Sequence, residues 1–485
     1  MNRTRQILKK SAAAVLCASL ILSGSSTAFA AGSYQETEKA ALNKLTDGIP
    51  ETWDTYLENY KKSAAGSKSN MTLKVEDTGR ALIGALMGGT DVSWLQSISL
   101  DSNISIKDGV EAIVSSVLLN DNKLCDFNVY MDLANMMEYI QIPELSDSYM
   151  KAPVSSDSEE NSEEAQQFLN TYMTTLSDLT SVLPDSKTLS TLLDRYGNII
   201  IDSFEEGSSV EESVSVDGIS EECTAYEGII SEKSAYTIVE KVLTTAKDDE
   251  EIKALFDQWS DDASNEENQY KDFQNLITDA LDDMNRDDEG STENEAFSSK
   301  VWVNGDGKIV GRQFGITDGT DTTPVFTWKA PSEGEDSALL LELAADDSSF
   351  TFTGSGKTAD GLLNGDYILA VNGTETVDIN VENLETKPAK AGYYNGTFNI
   401  SFPAAETDSS DSEAGESTED DTDTSATDML AGFGAVIKLT SDADADTSTL
   451  DLTVTTSGAA LATLSITGSY GEGVEIPDFA SLDKT

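Results

Sequence analysis

Polar and apolar positions alternate through residues 124–151, LCDFNVYMDLANMMEYIQIPELSDSYMK. Phe127, Val129 and Met131 alternate with polar neighbours, residues 132–135 have turn composition, and Met137, Tyr139 and Gln141 resume the period of two until Pro143. Successive side chains of a strand point to opposite faces, so the stretch predicts a hairpin with one apolar face that needs a cover. Residues 71–75, 95–106 and 111–119 repeat the pattern, and Gly88-Gly89 and Asp108-Gly109 predict turns between them.

Spacings of three and four mark helices. Ala40, Ala41 and Leu45, then Trp53, Tyr56, Leu57 and Tyr60, predict two helices within 33–62, broken at Gly48-Ile49-Pro50. Phe168, Tyr172, Leu176, Leu179 and Leu183 form one stripe ended by Pro184, and a short helix is predicted over 188–195. Runs 210–216 and 222–230 flank Asp217-Gly218, a strong two-residue hairpin signal. Tyr236, Val239, Val242 and Leu243, then Ile252, Leu255 and Phe256, then Tyr270, Phe273, Ile277 and Leu281, give three more one-sided helices. From about residue 296 short strands follow one another to the end, with Asn304-Gly305-Asp306-Gly307 reading as a type I′ turn.

These elements predict an α+β fold: a large curved antiparallel sheet, half-barrel-like, with amphipathic helices from 34–62, 160–195 and 234–287 on its concave face. The predicted organisation is a signal peptide over 1–30, an N-terminal α+β region over 31–295, and a C-terminal antiparallel meander over 296–485. Residues 406–428 are a tract of Asp, Glu, Ser and Thr without a basic residue, expected to be a disordered loop.

The signal peptide is read from Arg3, Arg5, Lys9 and Lys10, the apolar run 12–22, and Ala28-Phe29-Ala30, which places cleavage after Ala30. Leu16 before Cys17 lacks the small residue that lipoprotein processing wants, so a free secreted product is expected rather than a cell-surface lipoprotein. No later run approaches the ~20 apolar residues of a transmembrane helix. Among the 485 residues, 31 Lys and Arg face 88 Asp and Glu, a formal charge of −57. Such a surface repels nucleic acid and anionic lipid.

The chain contains no histidine. That removes the usual general base of Ser and Cys hydrolases and the imidazole ligands of zinc and copper sites. Cys125 and Cys223 remain after processing and are too few for a structural zinc site. In an oxidising compartment they form a disulfide if their strands are neighbours, and otherwise stand as two buried thiols. Residues 354–358, GSGKT, end like a phosphate-binding loop but lack the earlier glycine and the following helix, which favours a turn. Asp442, Asp444 and Asp446 resemble the start of a calcium loop, but Thr447 and Thr453 stand where glycine and glutamate are needed, which favours a solvated turn. No catalytic, cofactor or metal site is expected, and the protein is read as non-enzymatic.

Three segments carry a resemblance: NVYMDLANMMEYIQIPELSDSYM, VSVDGISEECTAYEGIISEKSAYTIVEKVL and SKVWVNGDGKIVGRQFGI. Together they resemble a family of secreted proteins and lipoproteins of Firmicutes, and more remotely the lipoprotein-carrier (LolA-like) half-barrel. The resemblance implies a ligand role in which acyl chains lie between sheet and helices. Here that role calls for a cavity lined by Met131, Met137, Tyr139, Phe168 and Tyr172. The alternative is an extracellular structural module with a filled core and a protein or cell-wall partner. The candidate partners are thus a lipid or other hydrophobic ligand and a component of the cell envelope.

Overall fold

The computed structural model describes residues 32–107, 109–132, 135, 137–153, 183–259, 263–287, 294–318, 321–345, 348–388, 392–403 and 431–479. The predicted signal peptide with Cys17 and Ala30, the stripe carrying Phe168 and Tyr172, and the acidic tract 406–428 lie outside them.

Helix α1 (Tyr34–Ala65) leads into strand β1 (Ser67–Val75), helix α2 (Asp77–Leu86) and strands β2 (Ser97–Lys107), β3 (Val110–Leu119), β4 (Asn122–Asp132), β5 (Met137–Gln141) and β6 (Met150–Pro153). Helix α3 (Ser186–Ile201), strands β7 (Glu205–Val216) and β8 (Ile219–Ser231), and helices α4 (Glu232–Lys247), α5 (Glu250–Trp259) and α6 (Ala263–Asp287) follow. Then come β9 (Glu295–Asn304), β10 (Ile309–Asp318), β11 (Asp321–Lys329), β12 (Ser332–Glu333), β13 (Asp336–Ala345), β14 (Ser348–Ala359) and β15 (Leu362–Val371). The chain closes with β16 (Thr374–Glu385), β17 (Gly396–Ser401), β18 (Phe433–Asp442), β19 (Thr447–Thr456) and β20 (Ala459–Tyr470). The fold is α+β, mostly sheet, and every described strand pairing is antiparallel.

The chain forms two compact units, one from Met1–Leu57 with Leu179–Ser355, the other from Glu58–Asp178 with Gly356–Thr485. Both units are discontinuous in sequence. The reason is long-range pairing. β20 lies beside β1 over nine residues, with Ile466 opposite Met71, and β9 lies beside β8, with Val301 opposite Tyr226.

In the first unit the ladder runs β7–β8–β9–β10–β11–β13. One face carries Tyr226, Ile230, Phe297, Val301, Phe314 and Phe326, and Tyr34 and Ala41 of α1, Ile200 of α3 and Ile238 of α4 pack into the same core. The helices start where side chains answer their free amides. Asp185 accepts from the Thr188 amide at 2.6 Å and Ser231 from the Ser234 amide at 3.1 Å. For α1 the cap is remote: the Glu206 carboxylate accepts from the Tyr34 and Gln35 amides at 2.9 and 3.1 Å, adding negative charge at a helix N-terminus.

In the second unit twelve strands follow in one ladder, β15–β16–β17–β18–β19–β20–β1–β2–β3–β4–β5–β6. Helix α2, which the alternation did not reveal, docks on β20. Its Gly79 lies so close that a Cβ there would sit 2.1 Å from the Leu461 carbonyl oxygen.

Other local expectations need correction. The break expected at residues 48–50 is absent, because α1 runs through Pro50, giving up one backbone hydrogen bond. Residues 304–307 make a turn in which only Gly307 has positive φ, +74°, rather than a type I′ turn. Residues 354–358 lie inside β14, where a Cβ on Gly356 would meet the Asn364 carbonyl oxygen at 2.7 Å, so the glycine serves a close strand approach.

Candidate functional site

The second unit's ladder has two unlike faces. Directly opposed residues of antiparallel strands share a face. One apolar row therefore crosses seven strands: Leu439, Leu450, Ile466, Met71, Leu100, Val117 and Cys125 on β18, β19, β20, β1, β2, β3 and β4. A second row, Phe398, Ile437, Leu452, Leu464, Leu73, Ile98 and Leu119, runs beside it from β17 to β3. The other face over β19, β20, β1 and β2 is built of hydrogen-bonded polar pairs, Thr449 with Thr467 at 2.9 Å, Thr453 with Thr463 at 3.0 Å and Thr72 with Ser99 at 2.9 Å.

Burial does not close the apolar rows. Met71 is 43% exposed and Ile98 44%, with Leu73, Leu100 and Leu450 also exposed. At a strand spacing of roughly 4.8 Å, seven strands span about 29 Å. Two rows over that length exceed the isolated exposed apolar residue that needs no explanation.

The structure divides the expected cavity lining. Met131 is opposite Glu138, while Tyr139 is opposite Tyr130 and Met137 opposite Asp132. Met131 thus shares the face of Val129, Phe127 and the apolar rows, whereas Met137 and Tyr139 point to the other side. The hairpin has two partly apolar faces rather than the one expected, because its register sets odd residues of β4 against even residues of β5. Phe168 and Tyr172 lie outside the described residues.

On the Tyr139 side the cover among the described residues comes from the segment after β20. Val110, Ala112, Tyr130 and Tyr139 form a small core against Val474, Ile476 and Phe479 of the segment after β20. The Val474 amide donates to Ser105 Oγ at 2.9 Å. Burial, with the Tyr149 hydroxyl next, raises the Tyr130 phenol to about 12. A pocket of about 560 Å³ remains at this segment, lined by Lys107, Val110, Val474 and Phe479 among others.

The first unit buries a polar group in its core. Arg312 of β10 donates from Nη1 to Glu38 Oε1 of α1 at 2.5 Å, with side chains only 5% and 2% exposed. Arg312 Nε and Nη2 and the Tyr34 hydroxyl are buried and make no hydrogen bond among the described residues. Burial first, then the Glu38 charge, pushes the Tyr34 phenol well above its ordinary range; Ser299 and the Arg312 charge temper the rise. Ser299 thus lies near the phenol without making a hydrogen bond of normal geometry to it. Arg312 has the same strand parity as Phe314, and that parity was its only signal in the sequence.

Cys125 and Cys223 are free thiols, one in each unit. Each is enclosed in its own ladder, Cys125 opposite Val117 and Cys223 opposite Glu212 and Asn304. Asp442 closes a turn by accepting from the Asp444 and Ala445 amides at 2.9 and 3.0 Å. Among the described residues no three Cys, Asp or Glu side chains gather as metal ligands, and no helix is long and apolar enough to cross a membrane. No family model, curated protein or solved structure matches the chain.

Proposed function

We propose that this is a secreted, non-catalytic protein that holds the acyl chains of lipids on the apolar rows of its second unit. The observation that carries this reading is the pair of adjoining rows, seven strands long, with exposed Met71, Ile98, Leu100 and Leu450. Their chemistry favours an acyl chain over a protein partner. Protein interfaces rely on Trp, Tyr and Arg anchors, while these rows are aliphatic except for Phe398, Met71 and Cys125 and hold no charge. Their span of about 29 Å is close to the ~30 Å hydrocarbon thickness of a bilayer, the length of two lipid chains end to end. The acidic surface disfavours docking on an anionic bilayer, so the reading is of a carrier of withdrawn chains.

The resemblance to the lipoprotein-carrier half-barrel agrees with this role. In that reading the sheet curves and the helices lie on its concave side, which the packing of α1, α3 and α4 on the first unit's core supports. The ligand then lies on the helix-poor part of the sheet instead of between sheet and helices.

The test is native mass spectrometry of protein purified from its own host, beside the doubly substituted variant Leu100→Glu and Leu450→Glu. Both positions are exposed, so the variant should fold. Co-purifying lipid in the wild type and its loss in the variant support the reading. Lipid retained by the variant, or absent from both, rejects it in favour of the structural module with a cell-envelope partner.

A further inference from the structure

Arg312 meets Glu38 with one nitrogen, Nη1, and its other two nitrogens lie together on one edge of the planar guanidinium. The N–H bonds of the Nε/Nη2 edge run parallel and match the two oxygens of a carboxylate or phosphate. That edge is buried and finds no acceptor among the described residues, and the Tyr34 hydroxyl, on a residue with no exposed surface, is in the same position. Buried donors are almost always answered, so three such atoms in one neighbourhood call for a ligand. We propose that the Nε/Nη2 edge of Arg312 and the Tyr34 hydroxyl form a binding site for a carboxylate group.

Charge selects the carboxylate over phosphate. Glu38 is paired with the guanidinium, and Glu206 caps α1 at the Tyr34 amide. A second anion with a single charge is easier to hold there than one carrying up to two. Size points the same way. Tyr34 lies against the backbone of Gly228, where a Cβ would come within 2.5 Å of its ring, and its ring centroid is 5.0 Å from that of Phe204. The surroundings are a packed apolar core, so a small group is easier to take up there than a bulky one. The carboxylate can belong to a small free acid or to the head of a fatty acid, and both present the same chemistry to Arg312. This site is in the first unit and does not depend on the acyl-chain reading of the second.

The test titrates the full mature protein with acetate and with dodecanoate by calorimetry, following the Arg312 Nε resonance by NMR. Saturable binding that shifts this resonance supports the site. Binding of both probes assigns a free small acid, and binding of dodecanoate alone assigns a fatty-acid head. Arg312→Lys keeps the charge but loses the two-donor edge, and affinity should fall about tenfold or more. Tyr34→Phe should weaken binding severalfold while leaving the unliganded protein as stable as the wild type or more so, because an unanswered buried hydroxyl is removed. Failure of both probes to bind the wild type saturably overturns the proposal. Undiminished affinity in folded Arg312→Lys also overturns it, and should that variant not fold, undiminished affinity in Tyr34→Phe does the same.

Discussion

The ring of Tyr139 on β5 stacks on that of Phe479, centroids 4.3 Å apart and planes 12° from parallel. The Lys151 ammonium sits 5.4 Å from the centroid of the same tyrosine. Phe479 also meets Tyr130 edge-on at 6.2 Å, so one side chain of an irregular segment covers two strands. Phe479→Ala should cost about 1–3 kcal/mol, less than a fully buried phenylalanine because Phe479 keeps some exposure. Phe479→Leu should recover most of the loss. Urea unfolding decides this, and an unchanged midpoint for the alanine variant would show that the segment contributes no cover.

Asp249 gives a pH dependence with a definite sign. It accepts from Tyr196 Oη at 2.7 Å, from the Glu251 amide at 3.0 Å and from Arg195. Burial pushes its carboxyl up, but these donors win and hold it at about 2. The unfolded value is near 3.9. A depressed carboxyl stabilises the fold above its unfolded pKa, and the contribution disappears as pH falls through the folded one. Asp249→Asn, which keeps a capping side chain for α5, should therefore cost about 2–3 kcal/mol at pH 7. The difference from wild type should shrink between roughly pH 5 and pH 2. Denaturation curves for both proteins across that range check it, and a pH-independent difference would assign the effect to packing alone.

Gly79 marks the contact between α2 and β20. A methyl group there would collide with the Leu461 carbonyl oxygen, which already accepts from the Glu76 amide at 2.9 Å. Gly79→Ala should displace α2 and cost about 1–3 kcal/mol despite alanine's better helix propensity. Stability at or above wild type would mean that the helix can shift without loss.

Cys223 is 2% exposed, and burial, then the Glu221 charge, raises its thiol to about 12. The thiolate is the reactive form, so Cys223 should resist iodoacetamide at pH 8 in the folded protein while Cys125, partly exposed, is labelled first. Peptide mass mapping after a short pulse distinguishes the two, and equal labelling would show that the Cys223 environment opens readily.

Short-range chemistry was legible in the sequence. The Asp217-Gly218 signal gives a two-residue hairpin with φ of 49° and 81° and Val216 opposite Ile219, as the composition dictates. The strands around Met71, Leu100 and Leu450 were visible as alternations, yet their union into rows depends on Ile466 meeting Met71, a pairing across nearly the whole chain that no local period encodes. Likewise the two faces of the β4–β5 hairpin follow from register, which alternation alone leaves free to slip by one residue. Helix α2 was hidden by its two glycines, Gly79 and Gly84, whose value lies in the close approach they permit rather than in helix propensity.

The pairing of β20 with β1 also sets an order of events during folding. Strand β20 is made long after β1, so this edge of β1 stays open until β20 exists. Contacts of such sequence separation form slowly, because a long loop must close before any pairing rewards it. Folding of the second unit should therefore be limited by the arrival of its last strand. Until then Met71 and Leu73 line an open strand edge, a natural place for a chaperone to hold the chain.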